Sequence, residues 1–141
     1  MKVVKSFEEY IKEGIARKIT PDLQRASNLY SESKRKFRLL KKNIETLGIN
    51  EENSNDFIEY CYNILMFLIR AEMLKKGFTS LENGAHETEV AFAKKLDFSQ
   101  AEIVFLNQLR FFRNGILYYG KNFDSEYAHK VINFTKDVYI R

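Results

Sequence analysis

Residues 21–47 read PDLQRASNLYSESKRKFRLLKKNIETL. Within them Leu23, Ala26, Tyr30, Ser33, Phe37, Leu40, Ile44 and Leu47 recur at alternating steps of three and four, and only Ser33 is polar. That spacing predicts one long helix with a packed stripe, of the kind found in bundles and coiled coils. Thr20 can cap it, and Pro21 suits the first helical position, where a missing N–H costs nothing. Gly48 supplies a stop. A helix with such a stripe needs other helices to cover it, and the rest of the chain has the patterns for them.

Downstream, a polar loop at 50–55 leads to a helix expected over Asp56–Lys76. Phe57, Ile58, Tyr60, Cys61, Tyr62 and the run Ile64–Ile69 cover most of its circumference. A helix apolar nearly all round is central, or buries one face in a partner chain. A loop follows from Phe78 to Ala85, then a helix over His86–Leu96. Ser99 with Glu102 forms a capping box for a fifth helix through Ile103, Leu106, Leu109 and Phe112 toward Gly120. A last helix, Ser125–Arg141, carries Tyr127, Val131, Phe134 and Val138. Upstream, Phe7, Tyr10, Ile11 and Ile15 have helical spacing over 7–19, with Ser6 and Glu9 as a capping box. No Val/Ile/Thr-rich alternating strand is visible. The expectation is an all-α fold: one domain over 1–141, an antiparallel bundle of five to six helices, with residues 1–20 as an N-terminal extension helix.

Composition supports this. The 141 residues include only 1 Pro and 6 Gly, and 45% are apolar, which excludes a disordered or collagen-like chain. The longest apolar run, Ile64–Ile69, is far short of the roughly 20 residues that span a bilayer. The opening MKVVKSFEEY has no secretory pattern, so a cytoplasmic location without membrane attachment is expected. One Cys and 2 His argue against a thiolate or histidine-rich metal site, and no cofactor is expected. Residues 1–50 hold 12 basic and 6 acidic groups; residues 51–141 hold 11 and 13. The chain is therefore electrically polarised. The excess centres on Lys34, Arg35, Lys36, Arg38, Lys41 and Lys42, on faces turned away from Phe37 and Leu40. Such a run is either a solvated surface or a face that tracks phosphates with strong salt dependence.

The segment Leu109–Gly120, LRFFRNGILYYG, is richest in chemistry. Arg110 and Arg113 stand at i, i+3 on an aromatic-rich helix. Leu106, Leu109 and Leu117 place the Arg113 stem against an apolar surface, where a guanidinium needs an acid, a carbonyl or an anionic ligand. Glu72, a carboxylate in the apolar third helix, is the expected partner for Arg113 or Arg110. Arg70 also needs a partner. Asn114 and Gly115 are poor helix formers in mid-helix, as at a close contact or functional constraint. The Arg is either a structural ion-pair member or a ligand-binding group. His86 has two readings: an acid/base group reaching a cleft, or, preferred here, a first-turn residue that caps backbone or packs a turn. Cys61 reads as a small buried hydrophobe.

R-N-G-I-L-Y-Y-G, residues 113–120, resembles the signature of HEPN-domain proteins: an Arg, often followed by Asn, with a His four to six residues after the Arg. Arg113 and Asn114 match, and the His position falls on Tyr118. The order of elements from Pro21 to Arg141 is also similar. The resemblance implies a helical bundle that dimerises, with two Arg-motif helices beside a shared cleft. It further implies RNA or nucleotide as ligand. Many members are metal-independent ribonucleases, often toxins paired with a small nucleotidyltransferase; others only bind. Under it, Arg113, Asn114, Tyr118 and His86 are the candidate catalytic residues. Arg110, Tyr119, Glu72 and the basic run are the candidate binding residues. An Arg suits scissile phosphate, and a His can move the 2′-hydroxyl proton. Tyr, with an ordinary pKa near 10, is a poor base at neutral pH. It can donate a hydrogen bond, stack on a base, or accept a nucleotidyl group from a partner enzyme. The leading expectation is therefore an RNA- or nucleotide-associated module without robust catalysis. A toxin-type endoribonuclease comes second, and a structural dimerisation partner third.

Overall fold

The computed structural model describes residues 3–140; Arg141, the expected last residue of the final helix, and the first two residues of the chain lie outside them. Eight elements follow in order: α1 (Phe7–Lys12), β1 (Ala16–Lys18), α2 (Leu23–Leu47), α3 (Ser54–Lys75), β2 (Phe78–Ser80), α4 (Ala85–Ala93), α5 (Gln100–Tyr119) and α6 (Ser125–Ile140). The fold is all-α, with one small ribbon.

The ends of the helices have local causes. Asp22, rather than Thr20, caps α2 by accepting from the Arg25 N–H. Ser6 accepts from the Glu9 N–H at the start of α1. At α5 the Ser99–Glu102 capping box is present in both directions.

Three expectations change. The N-terminal helix ends at Lys12 instead of running to Ile19. Gly14 sits at φ 76°, in the left-handed region that favours glycine, and the chain leaves the helix there. Residues 16–18 then pair antiparallel with 78–80, Ala16 opposite Ser80 and Lys18 opposite Phe78. This ribbon occupies ground expected to be helix on one side and loop on the other. Its second strand starts from Gly77, where a Cβ would stand 2.8 Å from the Ile19 carbonyl oxygen, so only glycine fits this crossing without a shift. The fourth helix is also shorter than expected, ending at Ala93.

α3 is the central element, packed against α2, α4, α5, α6 and β2. Its contacts with α2 give their direction: Asp22 meets Leu74, Ser33 meets Ile64 and Lys36 meets Tyr60. Numbers rise on one helix as they fall on the other, so the pair is antiparallel. α5 and α6 are antiparallel by the same test, with Phe105 against Phe134 and Phe112 against Tyr127. α3 and α6 are not joined directly and run the same way: Asn55 bonds the loop at 121–123, before α6 begins, and Cys61 lies beside Thr135, further along both helices. The core gathers Ile58, Ile64, Leu65, Leu40, Leu106, Leu109 and Ile132, all essentially fully buried. Each such side chain contributes about 2 kcal/mol. Ser33, the one polar residue in the α2 stripe, is buried and satisfied: it donates to the Ile64 carbonyl at 3.1 Å and accepts from the Tyr139 hydroxyl at 3.0 Å.

Candidate functional site

Tyr62 is the pivot of the polar interior. It lies on the face of α3 that meets α4 and α5, and it is fully buried. Its hydroxyl shares a 3.1 Å hydrogen bond with Nδ1 of His86, in the first turn of α4. The guanidinium of Arg113, from α5, stands 5.2 Å from the centre of the Tyr62 ring. This is cation–π distance. The Arg113 Nε is buried and has no hydrogen-bond partner among the described residues.

The neighbours of this group are charged. Arg70 grips Glu89 with two hydrogen bonds, Nε to Oε2 at 2.6 Å and a terminal nitrogen to Oε1 at 3.1 Å. Glu89 is fully buried, and burial pushes its carboxyl upward while Arg70 opposes the shift. Arg110 is buried too. Its Nε donates to Asn107 Oδ1 at 3.0 Å, and its guanidinium stands 3.7 Å from Glu87. Three cations thus face His86. Burial first, then Arg113, Arg70 and Arg110, pull the imidazole down to about 4. At neutral pH the ring is uncharged, so its 3.8 Å approach to Glu89 is not an ion pair under those conditions. Tyr62 is pushed the other way, to higher pKa, chiefly by burial.

Arg113, Arg110 and His86 therefore come together, with Tyr62 between Arg113 and His86. His86 does more than pack a turn: its ring belongs to this group. Glu72 does not join it. Two residues beyond Arg70, it points about 200° round α3 at 100° per residue. It sits 3.8 Å from Lys76 of its own helix, in a groove with Lys95 and Tyr139. The acids that serve the arginines are Glu87 and Glu89. The expectation that Glu72 pairs with Arg113 or Arg110 is corrected.

Tyr118 also lies apart from Arg113. Five residues along α5 turn a side chain about 140° from the starting direction. Tyr118 is 74% exposed and Tyr119 80%. With Phe111, Phe112, Asn114, Gly115, Lys121, Asn122 and Phe123 they line a separate hollow of about 410 Å³. The motif is thus split: Arg113 faces inward, and Asn114 and Tyr118 face the hollow. A Cβ at Gly115 would lie 3.4 Å from Cδ of Lys121, an ordinary van der Waals distance, so no close contact there demands glycine.

The basic run occupies a third place. Arg35 is held by Glu32 at 2.9 and 2.6 Å. Lys36 stands 4.9 Å from the Tyr60 ring centre, and Lys41 stands 4.9 Å from that of Phe37. Lys34, Arg38, Lys41 and Lys42 are exposed. Tyr60 and Tyr62 differ by about 200° on α3, so this face and the Arg113 group lie on opposite sides of the central helix. Cys61 is buried, with its thiol pushed up to about 12 by burial. No group of His, Cys, Asp and Glu among the described residues is arranged to hold a metal ion.

Sequence reasoning missed Tyr62, because it lies inside an apolar run where an aromatic reads as core. It missed Lys121 and Asn122 as well, because they follow the helix in a loop without pattern. The class of the protein is an all-α helical bundle with a partly buried Arg–Tyr–His group built on the fully buried Tyr62. Comparison with family models, with curated proteins and with solved structures gives no match.

Proposed function

We propose that the chain is an RNA- or nucleotide-associated module of the HEPN kind, working as a homodimer. The observation that carries this reading is the Arg113 Nε, buried beside Tyr62 and His86 with a donor left unpartnered. A buried donor without a partner costs about 1–3 kcal/mol. An arginine that keeps this donor free at that cost suits a phosphate or carboxylate arriving from outside. Arg110 and Arg70 stand nearby, each offset by its own acid, Glu87 and Glu89, so Arg113 carries the site's excess positive charge.

The test is fluorescence anisotropy with a labelled single-stranded oligoribonucleotide, titrated with salt. Wild type should bind, with affinity falling steeply as salt rises, and Arg113→Ala should weaken binding at least tenfold. Binding that ignores both salt and Arg113 overturns the reading. Light scattering tests the homodimer.

A second reading has its own support. A metal-independent endoribonuclease needs a proton acceptor near the arginine, and His86 is neutral at pH 7 and shares Tyr62 with Arg113. In the tautomer whose Nδ1 donates to Tyr62, Nε2 keeps a free lone pair. Cleavage of RNA in EDTA, lost in both Arg113→Ala and His86→Ala but kept in Tyr118→Phe, would establish it. Intact RNA at high protein concentration sinks it. Association with a small nucleotidyltransferase would add the toxin–antitoxin setting, and copurification tests that.

A further inference from the structure

We infer that the hollow at the end of α5 takes an unstacked base of single-stranded RNA, stacked on the exposed tyrosine rings that line it. The inference rests on the RNA-associated reading and names the part of the strand this surface binds.

The lining carries the argument. Tyr118 and Tyr119 are largely exposed and Phe111 is 42% exposed, so these rings gain little from the chain's own core. Their flat faces are available to a flat partner. Two side-chain amides, Asn114 and Asn122, share the wall. Among the described residues Lys121 is the one charged group that lines it, and no acid does. Rings for stacking, amides for a base edge and a cation for the connecting phosphate are the three elements single-stranded recognition uses. At about 410 Å³ the hollow falls within the usual range of ligand sites.

The site is also built in advance. Asn55, at the start of α3, donates from Nδ2 to the Lys121 carbonyl at 2.8 Å and to Asn122 Oδ1 at 3.2 Å. Its own Oδ1 accepts from the Phe123 N–H at 2.9 Å. These bonds fix the loop that forms one wall and leave the Asn122 amide nitrogen to donate outward. The Lys121 N–H returns to the Gly115 carbonyl at 3.2 Å, and the lysine stem lies across Gly115, in van der Waals reach of where a Cβ would stand. Behind the hollow, Phe112 packs 4.9 Å from Phe123 and 5.2 Å from Tyr127, ring centre to ring centre. The back wall is thus continuous with the aromatic packing between α5 and α6.

The experiment compares a labelled oligoadenylate ten nucleotides long with an abasic strand of equal length, in low salt. Wild type should prefer the base-bearing strand. Tyr118→Ala and Tyr119→Ala should each weaken binding to it by about tenfold or more and leave abasic binding unchanged. Tyr118→Phe and Tyr119→Phe should stay within about twofold of wild type, because stacking needs the ring and not the hydroxyl. Both tyrosines are exposed, so the variants should fold; circular dichroism checks this. Alanine variants that bind like wild type, while Arg113→Ala still weakens binding, overturn this inference and leave the RNA-associated reading standing. Alanine variants that only convert a dimer to monomer at unchanged RNA affinity also overturn it, and assign the hollow to a second copy. No binding of either strand by wild type overturns both.

Discussion

His86 and Tyr127 show how a single polar group drawn partly out of water can shift stability. The imidazole ordinarily titrates near 6.5, but the fold holds it down to about 4 through burial and the facing Arg113, Arg70 and Arg110. Glu89, 3.8 Å away, is the acid nearest to it. Between those two values the unfolded chain binds a proton that the folded chain refuses. Stability therefore rises with pH across that window and falls as the solution is acidified from 6.5 toward 4. The melting temperature of wild type should drop over this range by more than that of His86→Gln, which has no proton to take up. Parallel curves for the two proteins would contradict the assignment. Tyr127 is the simpler case. Its hydroxyl is buried without a hydrogen-bond partner, and burial raises its pKa. Tyr127→Phe removes the orphaned group and keeps the ring packed against Phe105, Phe112 and Phe123. Denaturant unfolding should show a gain of about 1 kcal/mol, where most core substitutions show a loss.

At the scale of elements, α3 decides which charges can meet. Arg70 and Glu72 are two residues apart and cannot face the same neighbour. Arg70 turns toward α4 and closes on Glu89, while Glu72 turns to the far groove beside Lys76. Glu89→Ala should leave Arg70 with a partly buried, uncompensated charge and cost about 3–5 kcal/mol. Replacing both, as Arg70→Met with Glu89→Leu, should recover most of that loss, because a well-packed apolar pair can match a buried ion pair. A double variant no more stable than the single one would show that packing around α4 governs the cost. The elements differ in how legible they were. The α2 stripe was readable because 25 residues repeat one spacing and Gly48 ends it. The ribbon was not: each strand has three residues, Ala16–Lys18 and Phe78–Ser80, too few for an alternation to register. Ile15 also extended the helical spacing of Phe7, Tyr10 and Ile11 past the actual break at Gly14. At the site, Arg113 and Arg110 stood out because a cation amid leucines demands a partner. The acids found there, Glu87 beside Arg110 and Glu89 on Arg70, depended on how α4 crosses α3 and α5, and no spacing within one helix encodes that.

For the whole molecule, two groups of cations lie on different sides of the central helix. The basic face of α2 lies beyond α3 from the Arg113 group, since Lys36 rests over Tyr60 and Arg113 over Tyr62. A strand touching both must wrap round the bundle or bridge two copies; otherwise the two surfaces act separately. Exposed Lys34, Arg38, Lys41 and Lys42 can each meet a phosphate, whereas Arg35 is committed to Glu32. Lys41→Glu with Lys42→Glu should therefore lower the slope of log affinity against log salt by about 0.7 for each phosphate that the variant no longer neutralises, the value for single strands. Base preference should not change, because contacts to phosphate carry no sequence information. Arg35→Ala should alter the slope little. Combining the lysine reversal with Arg113→Ala tests the geometry directly. Sites on opposite faces of one helix share no partners, so their free-energy losses should add within about 0.5 kcal/mol. That additivity, read by anisotropy across a salt series, is expected if each surface contributes its own contacts. A combined loss no larger than that of Arg113→Ala alone would mean that RNA engages the basic face only after the Arg113 group has bound.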